Sequence, residues 1–184
     1  MSNMRFDIIT IFPNIFDSYF GTSILKRAQE KKIVEIQVHN LRDFAIDKRG
    51  TIDGRPYGGG AGMVLMAKPV LDAVQKVTNN KRQATRKTKI IILSAKGKQF
   101  NQKLAYDWSK KYDQLILISG RYEGIDERVK KILKAEEISM GPYVLTDGEV
   151  PAMAIVSSVT RLLPGTIKLE SLAEESHWNL LLKK

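Results

Sequence analysis

Residues 116–153, ILISGRYEGIDERVKKILKAEEISMGPYVLTDGEVPAM, contain three turns bearing glycine, each following a short apolar run. The run Leu115-Ile116-Leu117-Ile118 ends at Ser119-Gly120, residues 137–140 end at Gly141, and Tyr143-Val144-Leu145 ends at Asp147-Gly148. Open α/β sheets gather ligands at the carboxyl ends of their strands, where glycine lets main-chain N–H and C=O groups come close. Three such ends within about 30 residues predict one pocket built largely from main chain. The chain has no cysteine, which removes thiolate nucleophiles, thiolate metal sites and disulfides. Its two histidines, His39 and His177, are too few and too far apart in sequence to indicate a metal site.

A second glycine cluster lies upstream. Residues 41–62, LRDFAIDKRGTIDGRPYGGGAG, hold six glycines and little apolar periodicity, which predicts a long loop of functional or mobile character. Its core, residues 55–62, could form a phosphate cradle but lacks the Gly-Lys-Ser/Thr ending of a P-loop, so a nucleotide hydrolase is disfavoured.

These turns need elements to hold them. Residues 5–12 read as a strand stopped by Pro13, residues 24–31 as a helix capped by Thr22 or Ser23, and residues 34–38 as an alternating strand. A short apolar run at 63–66 precedes helical spacing over 68–77. After the polar, basic stretch 78–87 comes a buried-strand pattern, 89–93, ending at Ser94-Ala95-Lys96-Gly97. A helix over 101–111 places Leu104 and Trp108 on one face, where core packing is the expected use. The unbroken run 115–118 suits a strand buried on both faces, and residues 125–133 follow as a helix. Residues 150–163 are apolar with small members, with Pro151 in the first helical turn. The alternation predicts one α/β domain with a parallel sheet.

The chain has 184 residues, with 30 Lys and Arg against 20 Asp and Glu, a net charge of +10. That excess favours a polyanionic partner, although a solvated basic surface gives the same count. The cysteine-free composition fits a reducing cytoplasm, and neither a signal peptide nor a membrane span is visible.

The blocks RPYGGGAGMVLM (55–66), GRYEGIDERV (120–129) and ISMGPYVLTDGEVPAM (138–153) resemble the bacterial tRNA (guanine-N1)-methyltransferase family, with ITIFPNIF near the start and SSVTRLLPG after the core. The resemblance runs from about residue 4 to 178. It implies a SPOUT methyltransferase fold with a C-terminal trefoil knot over residues 1–165. Residues 166–184 would begin an interdomain linker, the usual C-terminal tRNA-binding domain being absent from this chain. It further implies a cytoplasmic homodimer that binds S-adenosylmethionine in the knot and methylates N1 of guanosine 37 in tRNA, with magnesium as a possible further requirement.

Carried over residue by residue, the resemblance puts Ile92, Leu93, Ser94, Gly120, Arg121 and Glu123 against the cofactor. Ser139, Met140, Gly141, Tyr143, Leu145, Gly148 and Pro151 complete that set. It assigns Arg161 to stabilising the guanine and Glu175 to general base catalysis. In the family's S-x-x-E-D-S segment this chain reads Ser171-Leu172-Ala173-Glu174-Glu175-Ser176, so Glu175 replaces the usual aspartate. Pro142 and Asp147 also depart from the family pattern. Asp53, Arg55 and Tyr57 are candidate RNA contacts, the arginine for phosphate or a base edge and the tyrosine for stacking. Two alternatives stand beside this reading. One is an RNA-binding knotted dimer with weak or no catalysis, and the other is a knotted methyltransferase acting on ribose or another base.

Overall fold

The structure is a computed structural model that describes residues 3–56, 58–60, 62–79 and 86–168. Five parallel strands form its sheet: β1 (Met4–Thr10), β2 (Val34–Asn40), β5 (Thr88–Gln99), β6 (Gln114–Ser119) and β7 (Glu136–Ser139), in the order β2-β1-β6-β5-β7. The remaining strands, β3 (Asp53–Gly54) and β4 (Val64–Leu65), make an antiparallel ribbon that closes the ends of the glycine-rich loop. The helices are α1 (Asp17–Phe20), α2 (Ser23–Glu30), α3 (Ala67–Thr78), α4 (Gln102–Lys111), α5 (Glu127–Leu133) and α6 (Glu149–Thr160).

The apolar run of β6 is fully buried because helices cover both faces of the sheet. Leu115 and Leu117 point into a core with Phe6, Ile8 and Ile91, against α2, α4 and α6. Ile116 and Ile118 point the other way, into a core with Ile9 and Ile92, against α3 and α5. Each such side chain removed from water contributes about 1.5–3 kcal/mol. Trp108 packs in the first core with Phe100 at 5.4 Å between ring centroids, and Leu104 is partly buried beside it, as the spacing predicts. Asn101 caps α4 by accepting the N–H of Leu104.

Four local expectations need correction. The first strand stops at Thr10, and Pro13–Phe16 begins a 3₁₀ turn, since Pro13 fixes a helical φ. Thr22 holds the N-cap position of α2, but its hydroxyl donates back to the carbonyls of Ser18 and Tyr19 instead of capping. β5 does not end at Ser94–Gly97. It runs on to Gln99 through a bulge, with Leu93 and Lys98 both opposite Ile138. A Cβ on Gly97 would lie 2.5 Å from the backbone of Glu137 and Ile138, so glycine is what lets the bulged strand lie against β7. Finally, Tyr143-Val144-Leu145 is loop, with Val144 83% exposed.

Candidate functional site

The bulge of β5 and the carboxyl ends of β6 and β7 open into a cleft of about 960 Å³. Its walls come from three segments. After β6, residues 120–126 turn back on themselves, with Tyr122 at φ 58° and Gly124 at φ 119°. β4 holds that turn: Leu65 donates to the carbonyl of Gly124, while Asp126 donates to Leu65 and Glu123 to Met63. The glycine-rich loop closes over Glu123, since a Cβ on Gly62 would collide with that side chain.

After β7 the chain crosses back toward β6. Ser139 steadies the start of this crossing, its hydroxyl donating to the Gly141 carbonyl at 2.9 Å. At the far end, Gly148 donates to the Gly120 carbonyl at 3.0 Å. A Cβ on Gly148 would lie 2.7 Å from the Gly120 nitrogen, so only glycine permits the approach. Asp147 accepts the N–H groups of Glu149 and Val150, satisfying two of the free donors at the start of α6. Burial pushes the Asp147 carboxyl up. These bonds, Thr146 and the charge of Arg121 outweigh burial and hold it below the ordinary carboxylate value.

A charged cluster ties the cleft to the end of β1. Arg121 donates through Nε to Glu149 Oε2 at 3.2 Å, lies 3.7 Å from Asp147, and places its guanidinium 4.6 Å from the centroid of the Phe12 ring. Glu149 is 0% exposed, and its other oxygen accepts the Thr10 hydroxyl at 2.6 Å. Burial raises its pKa above the ordinary value, and the Thr10 bond and the charge of Arg121 only partly oppose it.

Of the residues assigned to a cofactor, Ile92, Leu93, Ser94, Gly120, Arg121 and Glu123 line this cleft. So do Ser139, Met140, Tyr143, Leu145, Gly148 and Pro151. Gly141 is buried just behind the wall, under the Tyr143 ring. Arg55 reaches the rim, whereas Asp53 lies in β3 outside the lining. Arg161 is not brought to the cleft: it is the C-cap of α6, about 15 Å along the helix from Pro151 in the cleft wall. Tyr57, Glu175 and His177 lie outside the described residues. Thr10, Phe12 and Glu149 join the site without having been singled out. The available signal was Glu149 itself, an acid opening an otherwise apolar helix. Among the described residues no group of three or more His, Asp or Glu is arranged to hold a metal ion, and no helix is long and apolar enough to cross a membrane.

The family model described as tRNA (guanine-1)-methyltransferase TrmD matches residues 4–184. A tRNA (guanine-N(1)-)-methyltransferase of Thermomicrobium roseum is 50% identical over 180 residues, which are 98% of this chain and 66% of that protein. Its counterpart in Dictyoglomus turgidum is 52% identical over 180 residues, covering 97% of this chain and 70% of that protein. The crystal structure of tRNA (m1G37) methyltransferase from Aquifex aeolicus superposes with a TM-score of 0.80 at 41% identity, covering 90% of this chain and 72% of that one. The chain thus spans about two thirds of the length of the curated relatives named here. On the match from residue 4 to residue 184, it belongs to the tRNA (guanine-1)-methyltransferase family.

Proposed function

We propose that this chain methylates N1 of guanosine 37 in tRNA, with S-adenosylmethionine held in the cleft at the bulge of β5 and the ends of β6 and β7. The observation that carries the reading is convergence: residues from three separate segments, all of which the resemblance puts against a cofactor, line one cleft of about 960 Å³. That volume lies in the range of small-molecule sites. The donor set fits a nucleoside joined to an amino acid. Ile92, Leu93 and Leu145 supply apolar walls for a base, and the main chain around Gly120, Met140 and Gly148 supplies groups to read its edge. Leu145 and Tyr143 stay exposed in the free chain although apolar, surface that a bound ligand would cover.

The cofactor supplies an electrophilic methyl group. The chain's part is to bring N1 of the base into line, to take its proton and to stabilise charge on its carbonyl oxygen. Glu175 is the carboxylate proposed to accept the proton, and Arg161 the cation proposed to face the carbonyl. Since Arg161 lies far from its own chain's cleft, a homodimer in which α6 of one copy approaches the cleft of the other would complete the site. The half-buried small residues Ala154, Ser157 and Ser158 on α6 would permit such an approach. The contact of Gly148 with Gly120 at the end of β6 is compatible with the trefoil knot that the resemblance implies.

Calorimetric titration with S-adenosylmethionine, followed by single-turnover methyl transfer to tRNA bearing guanosine or adenosine at position 37, tests the proposal. Binding, with transfer to guanosine alone, is the expected result. Binding of tRNA by a folded dimer without cofactor binding would overturn it in favour of a non-catalytic RNA-binding protein.

A further inference from the structure

We infer that Glu149 is a positioning residue for this reaction, acting through Arg121 to fix a guanidinium at the cleft wall for an acceptor oxygen of the bound reactants. The inference rests on the methyltransferase reading and adds to it a residue that the cofactor and base assignments leave out.

A carboxylate without water costs several kcal/mol to bury, even after relaxation. Glu149 is fully buried at the start of a helix whose other buried residues, Pro151, Ala152, Ile155, Val156 and Val159, are apolar up to Thr160 in its last position, so packing alone would favour an apolar side chain. Capping of α6 does not depend on it, because Asp147 accepts the N–H groups of Glu149 and Val150. Its two oxygens instead face two other elements: Oε1 takes the Thr10 hydroxyl from the end of β1, and Oε2 takes Nε of Arg121 from the turn after β6.

Arg121 is thereby held from three sides, by Glu149 at Nε, by Asp147 near Nη2 and by the Phe12 ring across its face. Among the described residues Nη1 has no hydrogen-bond partner, and the side chain lines the cleft. A guanidinium fixed on one edge with a donor left over suits an anionic or carbonyl oxygen. Two sources carry that chemistry, the cofactor's carboxylate and an oxygen of the RNA. Phe12, 47% exposed and outside the cleft lining, joins the same stack, so the held arginine spans the cleft and the surface beside it.

The test compares the full chain with E149Q, T10V, R121A and the E149Q/R121A double variant. The readouts are single-turnover transfer with enzyme in excess, tRNA concentration dependence, cofactor affinity by calorimetry, and thermal melting. E149Q is expected to fold and to slow transfer about tenfold or more, toward the hundredfold that a misplacement of about 1 Å costs. T10V, which loses one hydrogen bond to Glu149, is expected to slow it about fivefold. The double variant is expected to match R121A within about twofold, because residues acting as one unit are not additive. A weakened cofactor affinity places the acceptor oxygen on the cofactor, and a raised tRNA half-saturation places it on the RNA. Losses that multiply in the double variant, full activity in E149Q, or losses that follow lost fold in both E149Q and T10V would overturn the inference. Wild-type chain that binds no cofactor and transfers no methyl group would overturn the methyltransferase reading itself, and the inference with it.

Discussion

Two carboxylates, Asp7 and Glu149, are each 0% exposed, one inside the sheet and the other at its carboxyl edge, and their surroundings drive them in opposite directions. Asp7 accepts two bonds from Arg5 (2.7 and 2.8 Å), one from His39 Nε2 at 2.8 Å and one from Gln114 at 2.7 Å. Burial alone would raise its pKa, but His39, Arg5 and Gln114 together outweigh burial and hold it below 3.8. Glu149 has the Thr10 hydroxyl and a longer contact to Arg121, with Asp147 adding like charge, so burial wins and its pKa rises above 4.5. A saturated carboxylate joins strands within the sheet, and an undersupplied one on α6 stands beside the cleft. Perturbed groups of the second kind are the ones that concentrate at functional sites.

The most damaging way to probe this difference is Asp7→Ala. It strips the acceptor from Arg5, His39 and Gln114 at once, on adjacent strands β1, β2 and β6. Breaking a buried ion pair from one side costs about 3–5 kcal/mol, and Arg5 keeps Glu35 at 2.6 Å, so urea unfolding should show a loss near the lower end of that range. A loss under about 1 kcal/mol, the worth of an exposed pair, would mean that Asp7 contributes no more than a surface ion pair.

Next in size is Gly148→Ala, which forces a methyl group to within 2.7 Å of the Gly120 nitrogen and Ser119 Cα. Overpacking of this kind costs about 1–3 kcal/mol. Because the displaced atoms form the cleft wall, cofactor affinity should fall further than stability does. Calorimetry beside thermal melting reads both, and unchanged affinity would place the ligand elsewhere.

The two shifts also predict opposite pH behaviour. Asp7 binds its proton less readily folded than unfolded, so its contribution is present above about 3.8 and is lost as pH falls through the lowered folded value. Glu149 binds its proton more readily folded. Its contribution is present below about 4.5 and is lost as pH rises through the raised folded value. Unfolding free energies over a pH series should show D7N flattening the acid decline and E149Q removing a decline above 4.5. Parallel curves for wild type and E149Q would sink the assignment for Glu149.

Most of the frame was legible in the residues. The unbroken run 115–118, the glycine turns at 120, 141 and 148, and the helical spacing after residue 67 all appear where the pattern puts them. What failed depends on distant neighbours. The extension of β5 through Lys96-Gly97-Lys98 has no apolar signature, because its pairing is set by β7 forty residues on, at Ile138. Tyr143-Val144-Leu145 mimics a strand because apolar residues that face a cleft and those that face a core look alike in sequence. Glu149 reads as an ordinary acid in a first helical turn until Thr10, 139 residues earlier, is seen to meet it.

The smallest expected effect is the stability of E149Q at neutral pH. Glutamine has the shape of glutamate and keeps an oxygen for the Thr10 hydroxyl, while removing the charge that burial disfavours. It gives up the bond to Arg121, yet Arg121 is partly exposed and keeps Asp147 and the Phe12 ring, so no bare charge is left inside the protein. The gain from removing a buried charge and the loss of one charged bond are both of the order of 1–3 kcal/mol and opposed, so the net change should stay within about 1 kcal/mol. Guanidinium unfolding at pH 7 measures it directly. A loss of about 3 kcal/mol or more would place Glu149 beside Asp7 as a strand-joining carboxylate, because that is what removing one partner of a saturated buried pair costs.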